Sequence, residues 1–446
     1  MKAAAALGVI IIIVASVGAY LLLKGGGGDE KSKSIKEILE SDPGGDLKVC
    51  HWWTIEVEER GFEKIMNGME NQYPNATITP EGGPGSGGGM PQRILPALNA
   101  GTGPEVFQSH PGYEAAAYGD YLLNLDDLWQ YDNLEQRTPT IIKNMCKMGG
   151  HYNIVPVGVH RTNVIWYNKT IFSMCGVTAP SGTITFEEFW QLCDSLKNSP
   201  NFPSGAYVLD VGDGLGTNWA ATQIFESIMA GLGLQTYQDF INGKATVEQI
   251  KPVLENFKKF LEYIPADHLS RRWDEVCADL NAGYVAMYLH GDWVKAKFSD
   301  LGMTYGNQYG SFSVLGTSAF GLCVDGFVVP EQATYFGNGL RWVHSYTTDA
   351  VQTAFNPTKG SVSPYTNISL SIYSDAYSVE SAREVQAENT KFYPSITHGS
   401  AVPYDVLFSL HTKINEFVLN RDVDASASAI KTVLGQGTYI TEWHIV

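Results

Sequence analysis

A chain of 446 residues is too long for one hydrophobic core, and at roughly 150 residues per domain it should divide into two or three lobes. Its 30 basic and 47 acidic residues give a formal charge of −17, a field that repels polyanions and excludes nucleic acid as a partner. Aromatic residues reach 12%, including 23 Tyr and 10 Trp, which supplies both core and flat surfaces for a ring-shaped ligand.

The chain opens with AAAALGVIIIIVASVGAYLLL from Ala3 to Leu23, bracketed by Lys2 and Lys24. This uncharged run is long enough to cross a hydrocarbon core of roughly 30 Å as a transmembrane helix, and it is longer than the apolar core of a cleaved signal. Residues 1–28 are therefore read as a retained membrane anchor with Lys2 inside and the body outside. GGGGDEKSKS begins a flexible linker over residues 29–45, which includes a short helix from Ser34 to Glu40 and a Pro-Gly-Gly break. Sequons at Asn75, Asn168 and Asn367 fit a protein outside the cell.

In the body, Leu47 to Trp53 reads as a buried strand and Glu58 to Tyr73 as a helix with apolar residues at Phe62, Ile65, Met66 and Met69. Ala76 to Thr79 is a strand, Met90 to Ala100 a helix despite Pro96, and Glu105 to Ser109 a strand. This β-α-β-α-β order predicts a mostly parallel, doubly wound sheet. Strands follow at Ile154 to Val159 and Asn163 to Tyr167, and Thr185 with Glu188 forms a capping box opening another helix. Helices over Thr246 to Tyr263 and Trp273 to Ala282 precede strands at Tyr284 to Leu289 and Phe320 to Val329.

The loop from Gly82 to Gly89 lacks the G-K-[ST] ending of a phosphate-binding loop. The histidines show no tight ligand spacing, so no metal or cofactor is implied. The six cysteines, Cys50, Cys146, Cys175, Cys193, Cys277 and Cys323, contain no C-x-x-C; outside the cell they permit either disulfides or free buried thiols. No nucleophile signature occurs, but a pair of carboxylates meeting in space would leave glycoside hydrolysis open.

In doubly wound sheets ligands sit beyond the carboxyl ends of the strands. Those ends carry Trp52, Trp53 and Glu58 after the first strand, and Gln108 and His110 after the third. A hexose offers an apolar C–H face to a tryptophan and a rim of hydroxyls to Glu, Gln, Asp, His and Lys. Alternation along the strand points Trp52 and Trp53 opposite ways, and Trp53 is taken as the ligand-facing one.

Six ordered segments, WWTIEVEERG (Trp52 to Gly61), EVFQSHPG (Glu105 to Gly112), VPVGVHRTNVIWYN (Val155 to Asn168), MYLHGDW (Met287 to Trp293), FNPTKGS (Phe355 to Ser361) and THGSAVP (Thr397 to Pro403), together resemble the sugar-binding proteins of ABC importers, most of all the glucose/galactose-binding branch. The resemblance implies an α/β, two-lobed periplasmic-binding-protein fold of type II. It places hinge crossings near Val157 to His160, Gly321 to Asp325 and Lys359 to Ser363. The first lobe would hold residues 46–156 and 325–360, the second 157–324 and 361–446. It also implies a monosaccharide between the lobes, glucose first, with galactose or mannose as further candidates. Carried over by position, Glu58, Gln108, His110, Asp325, Lys359 and His398 are polar sugar contacts, and Trp273 packs near the ring. Asp292 and Trp293 are left as structural, and His160 and Arg161 fall at the hinge. Tyr237 and Ile241 stand where relatives carry tryptophans, so the aromatic wall should differ here.

The implied function is capture of a sugar at the outer face of the membrane and its delivery to permease subunits. The expected molecule is monomeric and is not an enzyme. A membrane-anchored glycoside hydrolase is the alternative from another class, and a structural surface-layer protein is a third reading.

Overall fold

The computed structural model describes residues 30–84, 89–213, 219–313 and 316–444. The proposed membrane span, residues 3–23, lies outside these, as do residues 85–88 of the glycine-rich loop. Among the described residues no helix is long and apolar enough to cross a membrane.

Among the described residues ten strands build the two larger sheets: β1 (Gly45–His51), β2 (Ala76–Gly82), β3 (Val106–Ser109), β4 (Val155–Arg161), β5 (Val164–Asn168), β6 (Tyr207–Asp210), β7 (Val285–His290), β8 (Tyr309–Ser313), β9 (Phe320–Val328) and β10 (Phe392–Pro394). The first sheet runs β10-β9-β3-β1-β2 with β4 also paired to β9, and the second runs β8-β5-β7-β6. In the first, β1 is parallel to β2 and β3, the geometry that the β-α-β pattern calls for. Helices pack on the sheets through apolar stripes. Val57, Phe62, Ile65 and Met69 are the buried side of helix Glu56–Gln72, whose first turn carries Glu56, Glu58 and Glu59 against the positive end of the helix dipole. The capping boxes Thr185/Glu188 and Thr246/Gln249 form as their spacing requires and open helices Phe186–Lys197 and Val247–Phe260.

The chain passes from the first sheet to the second between β4 and β5 and returns between β8 and β9. These two passages are bound to each other: Thr162 N–H donates to Gly321 O (2.8 Å), while the Asn163 side chain accepts from Gly321 N–H (3.1 Å) and donates to Ala319 O (2.9 Å). A third passage follows helix Asp349–Lys359, whose Gly360 takes the left-handed conformation (φ 81°) that closes a helix without a Cβ clash. There Val362 exchanges both backbone bonds with Val159 (2.8 and 2.9 Å), so β4 is gripped by β9 on one side and by Val362 on the other. The β4/β9 register slips at Asp325/Gly326, a bulge of the kind that re-aims a side chain.

The structure departs from the sequence reading at several points. Residues 30–45 are not a flexible linker. Glu30 is buried against Arg341 (Oε1 to Nη2, 2.5 Å), and Arg341 also donates to Ile38 O (2.8 Å) and Ser41 O (2.8 Å). Helix Ile35–Leu39, capped by Ser34, buries Ile38 and Leu39 on the first lobe. An acid that looks solvated in a charged run is thus held by an arginine some three hundred positions away. Strand β10, in the stretch assigned to the second lobe, extends the first sheet, because Phe320 N–H donates to Lys391 O (2.8 Å) and Ser395 N–H to Leu322 O (3.0 Å). All six cysteines are free thiols. Asn168 is a helix cap whose Oδ1 accepts from Ile171 N–H (3.0 Å) and whose amide donates to Leu280 O (2.7 Å), so this sequon is buried, whereas Asn75 and Asn367 are exposed.

Candidate functional site

A cavity of about 700 Å³ lies between the two sheets, within the range of small-molecule sites. Its walls come from the carboxyl ends of strands: Trp52, Trp53 and Thr54 after β1, His110 after β3 and Gly212 after β6. His160 on β4 and Cys323 and Asp325 on β9 form the floor, at the chain passages. Glu58 and Lys359, 3.3 Å apart, also line it, as do Trp219, Trp273, Trp293 and His398.

Of the residues expected at a ligand, Trp53, Glu58, His110, Trp273, Asp325, Lys359 and His398 all line this cavity. Gln108 does not. It lies fully buried behind the wall, where its Oε1 accepts from Trp52 N–H (3.1 Å) and its Nε2 donates to Asp325 Oδ1 (3.3 Å). Gln108 therefore sets the position of two cavity residues without touching the cavity. The choice between Trp52 and Trp53 by alternation lapses because β1 ends at His51, and both rings reach the cavity. Trp53 is 1% exposed and packed against Phe62, Phe327 and Phe355 with ring centroids 5.4–6.3 Å away; Trp52 is 8% exposed and tilted over His110 at 4.7 Å.

Tyr237 and Ile241 are fully buried away from the cavity, with the Tyr237 hydroxyl donating to Pro394 O (2.7 Å). Their departure from relatives does not thin the aromatic wall, because Trp219, Trp273 and Trp293 stand there. Trp293, assigned a purely structural part from sequence, sits edge-on to His160 (5.5 Å, 90°) and to His398 (5.3 Å, 74°). A signal for it was present, since it follows the end of β7 as Trp52 follows β1. Trp219 begins helix Trp219–Leu232 after a stretch outside the described residues, and its position gave no such signal.

Lys359 Nζ lies 3.3 Å from Glu58 Oε1, 3.5 Å from His160 Nε2 and 5.5 Å from the centroid of the Trp53 ring. Burial pushes the Glu58 carboxyl up, and the ammonium of Lys359 works against that shift. Asp325 sits between His110 Nε2 (3.6 Å) and His160 Nε2 (3.5 Å). Burial disfavours a charged His110, but Glu114 (2.6 Å from Nδ1) and Asp325 outweigh it and hold its proton above the usual histidine range. His398 is held well below that range, by burial first and then by the other histidines. The lining thus carries the acidic residues Glu56, Glu58, Asp274 and Asp325 and the basic residues Lys359, Arg272 and Lys297 besides its histidines. Such a cavity offers donors, acceptors and ring faces. Among the described residues no group of His, Cys, Asp or Glu is arranged to hold a metal.

Comparison with known proteins places this geometry. Residues 54–352 match the family described as bacterial extracellular solute-binding protein. An uncharacterized ABC transporter extracellular-binding protein of Pyrococcus horikoshii is 34% identical over 90% of this chain and 90% of its own length. The xylose/arabinose-binding protein XacG of Haloferax volcanii is 24% identical over 87% of this chain and 84% of its own. Among solved structures, a chitin oligosaccharide binding protein superposes with a TM-score of 0.76 at 17% identity, covering 88% of this chain and 99% of that one. The last likeness is one of fold, two α/β lobes with a cleft between them.

Proposed function

We propose, for a chain that belongs to the bacterial extracellular solute-binding protein family, that the cavity holds one aldohexose, glucose first with galactose or mannose as alternatives, and that the protein hands it to the permease of an ABC importer. The observation that carries the reading is a lining to which both sheets contribute tryptophans, Trp52 and Trp53 after β1 and Trp219, Trp273 and Trp293 from the part of the chain that builds the second sheet, together with the hydrogen-bonding side chains Glu58, His110, Asp325, Lys359 and His398. Ring faces take the C–H face of a pyranose, while Asp325, Glu58, Lys359, His110 and His398 address its hydroxyls; acceptors that carry charge bind a hydroxyl more strongly than neutral ones. The name of the Haloferax relative adds support for a sugar ligand. On this reading the three paired segments around Val159, Val324 and Val362, beside the chain passages, are the hinge about which the lobes close. The protein works as a monomer outside the membrane, tethered through the apolar segment at residues 3–23.

A thermal-shift panel of glucose, galactose, mannose, xylose, arabinose and maltose tests this, because a ligand that binds only the folded state raises its melting temperature, by about 2.7 kcal/mol of stability at a hundredfold excess over Kd. A shift with one or two hexoses supports the reading. A shift with maltose alone overturns the single-ring site, and no shift with any of the six overturns a sugar ligand.

A further inference from the structure

Three histidines line the cavity, and each has its Nδ1 engaged on the side away from it. His110 Nδ1 meets Glu114 (2.6 Å) and His160 Nδ1 meets Asp292 (2.5 Å), both carboxylates directly. His398 instead reaches its carboxylate through a hydroxyl: Nδ1 lies 2.8 Å from Ser395 Oγ, and Ser395 Oγ lies 2.8 Å from Glu226 Oε1. The other oxygen of Glu226 accepts from Ile396 N–H (2.6 Å) and Thr397 N–H (3.0 Å). Glu226 sits fully buried on helix Trp219–Leu232, lies outside the cavity wall, and has no part in the sequence resemblance.

We infer that Glu226 is a positioning residue that sets the tautomer of His398 and thereby makes its Nε2 an acceptor for a ligand hydroxyl. The inference rests on the cavity being the ligand site. Bond by bond, an ionised Glu226 can only accept, so the Ser395 hydroxyl donates to it. Ser395 Oγ is then left to accept, from His398 N–H (3.3 Å) and from the Nδ1–H of the imidazole. The proton of the neutral ring is on Nδ1, and Nε2 meets the cavity with a lone pair. If Oε1 carries a donor instead, the relay runs the other way. Ser395 accepts from residue 226 and donates to Nδ1, the ring proton moves to Nε2, and the cavity gains a donor where it had an acceptor.

Glu226→Gln creates that reversal. Its amide oxygen keeps the two backbone bonds of Ile396 and Thr397, and its NH₂ stands where Oε1 was. Protonation of Glu226 does the same, and burial raises this carboxyl to about 7 against the bonds from Thr397, Ser395 and Ile396. The groups that face it are the Tyr237 hydroxyl from helix Leu234–Ile241 (3.5 Å), Tyr393 on β10, Cys323 on β9, the Thr397 side chain, and Ser395 with the two amides.

The test reads the His398 ring by ¹⁵N NMR in the full chain with labelled histidines, without ligand, at pH 8, with His398→Gln to assign the signal. The expected result is Nδ1–H in the wild type and Nε2–H in Glu226→Gln, with D-glucose affinity at least tenfold weaker in the variant by calorimetry. Lowering the pH to 6 moves the wild-type signal toward the variant's and leaves the variant in place. Nε2–H in the wild type at pH 8 overturns the inference, and that measurement needs no variant to fold. An unchanged tautomer or an unchanged affinity in Glu226→Gln also overturns it. Ser395→Ala gives a second route to the same loss of Nδ1 preference. Failure of the wild type to bind D-glucose counts against the glucose reading of the cavity, while the tautomers, read without ligand, still decide the relay.

Discussion

Asp325→Asn isolates the charge at the centre of the cavity floor. The wild-type carboxylate accepts from Gln108 through Oδ1, and lies within 3.6 Å of both His110 and His160, so it is held rigidly where a hydroxyl would meet it. Asparagine keeps the shape and can keep the bond from Gln108, but it replaces one charged acceptor by a neutral amide. A hydrogen bond to a charged group contributes about 1.5–3 kcal/mol, which at about 1.4 kcal/mol per decade is a ten- to roughly 150-fold weaker Kd. The folding cost should stay near about 1 kcal/mol, because no buried polar atom loses its last partner; that moves the melting temperature of a domain by about 2–4 °C. Calorimetric titration with the hexose that gives the largest thermal shift measures the first quantity, and a melting curve without sugar the second. Wild-type affinity in the variant, or a collapse of the melting temperature with affinity intact, would refute the assignment of Asp325 to the ligand.

Arg341→Ala should lower stability by about 3–5 kcal/mol, since it leaves Glu30 buried without its partner; an unchanged melting temperature would mean that residues 30–45 do not dock. Burial holds His51 and His411 neutral in the fold at about 4, and His290 at about 3, against 6.5 in the unfolded chain. Folded values depressed below the unfolded one give stability that is full above pH 6.5 and lost as pH falls from there toward 3. A denaturation series from pH 7.5 to 5 should therefore be less steep in His411→Phe than in the wild type, and equal slopes would contradict it. Asn168→Ala removes the cap on Ile171 and the bond to Leu280, a loss of about 1–2 kcal/mol by chemical denaturation; a cost indistinguishable from zero would restore Asn168 to the surface.

Much of the frame was legible because it is written locally. The capping box at Thr185, the apolar stripe from Phe62 to Met69, and the strand-helix order at the start of the body depend on residues a few positions apart. The site was legible where residues follow strand ends or lie in segments with a family resemblance, as His110 and Lys359 do, while Asp325, inside β9, came only from its position in the resemblance. What was hidden depends on distant partners. Gln108 and His110 are two residues apart in sequence, yet only the register of β3 against β9 decides that the first braces Asp325 from behind and the second faces the cavity. Trp52 was hidden by the assumption that β1 runs through it. The docking of Glu30 needed Arg341, and β10 is three residues long and ends in proline, too short for a pattern of two to register.

A crystal structure of the chain grown with D-glucose tests the central claim most directly. The account predicts one pyranose in the cleft, its hydroxyls within hydrogen-bond distance of Asp325 and of His398 Nε2 and its C–H face against a tryptophan of the cavity wall. Glucose bound elsewhere, or a cleft that stays empty of sugar at saturating concentration, would contradict it.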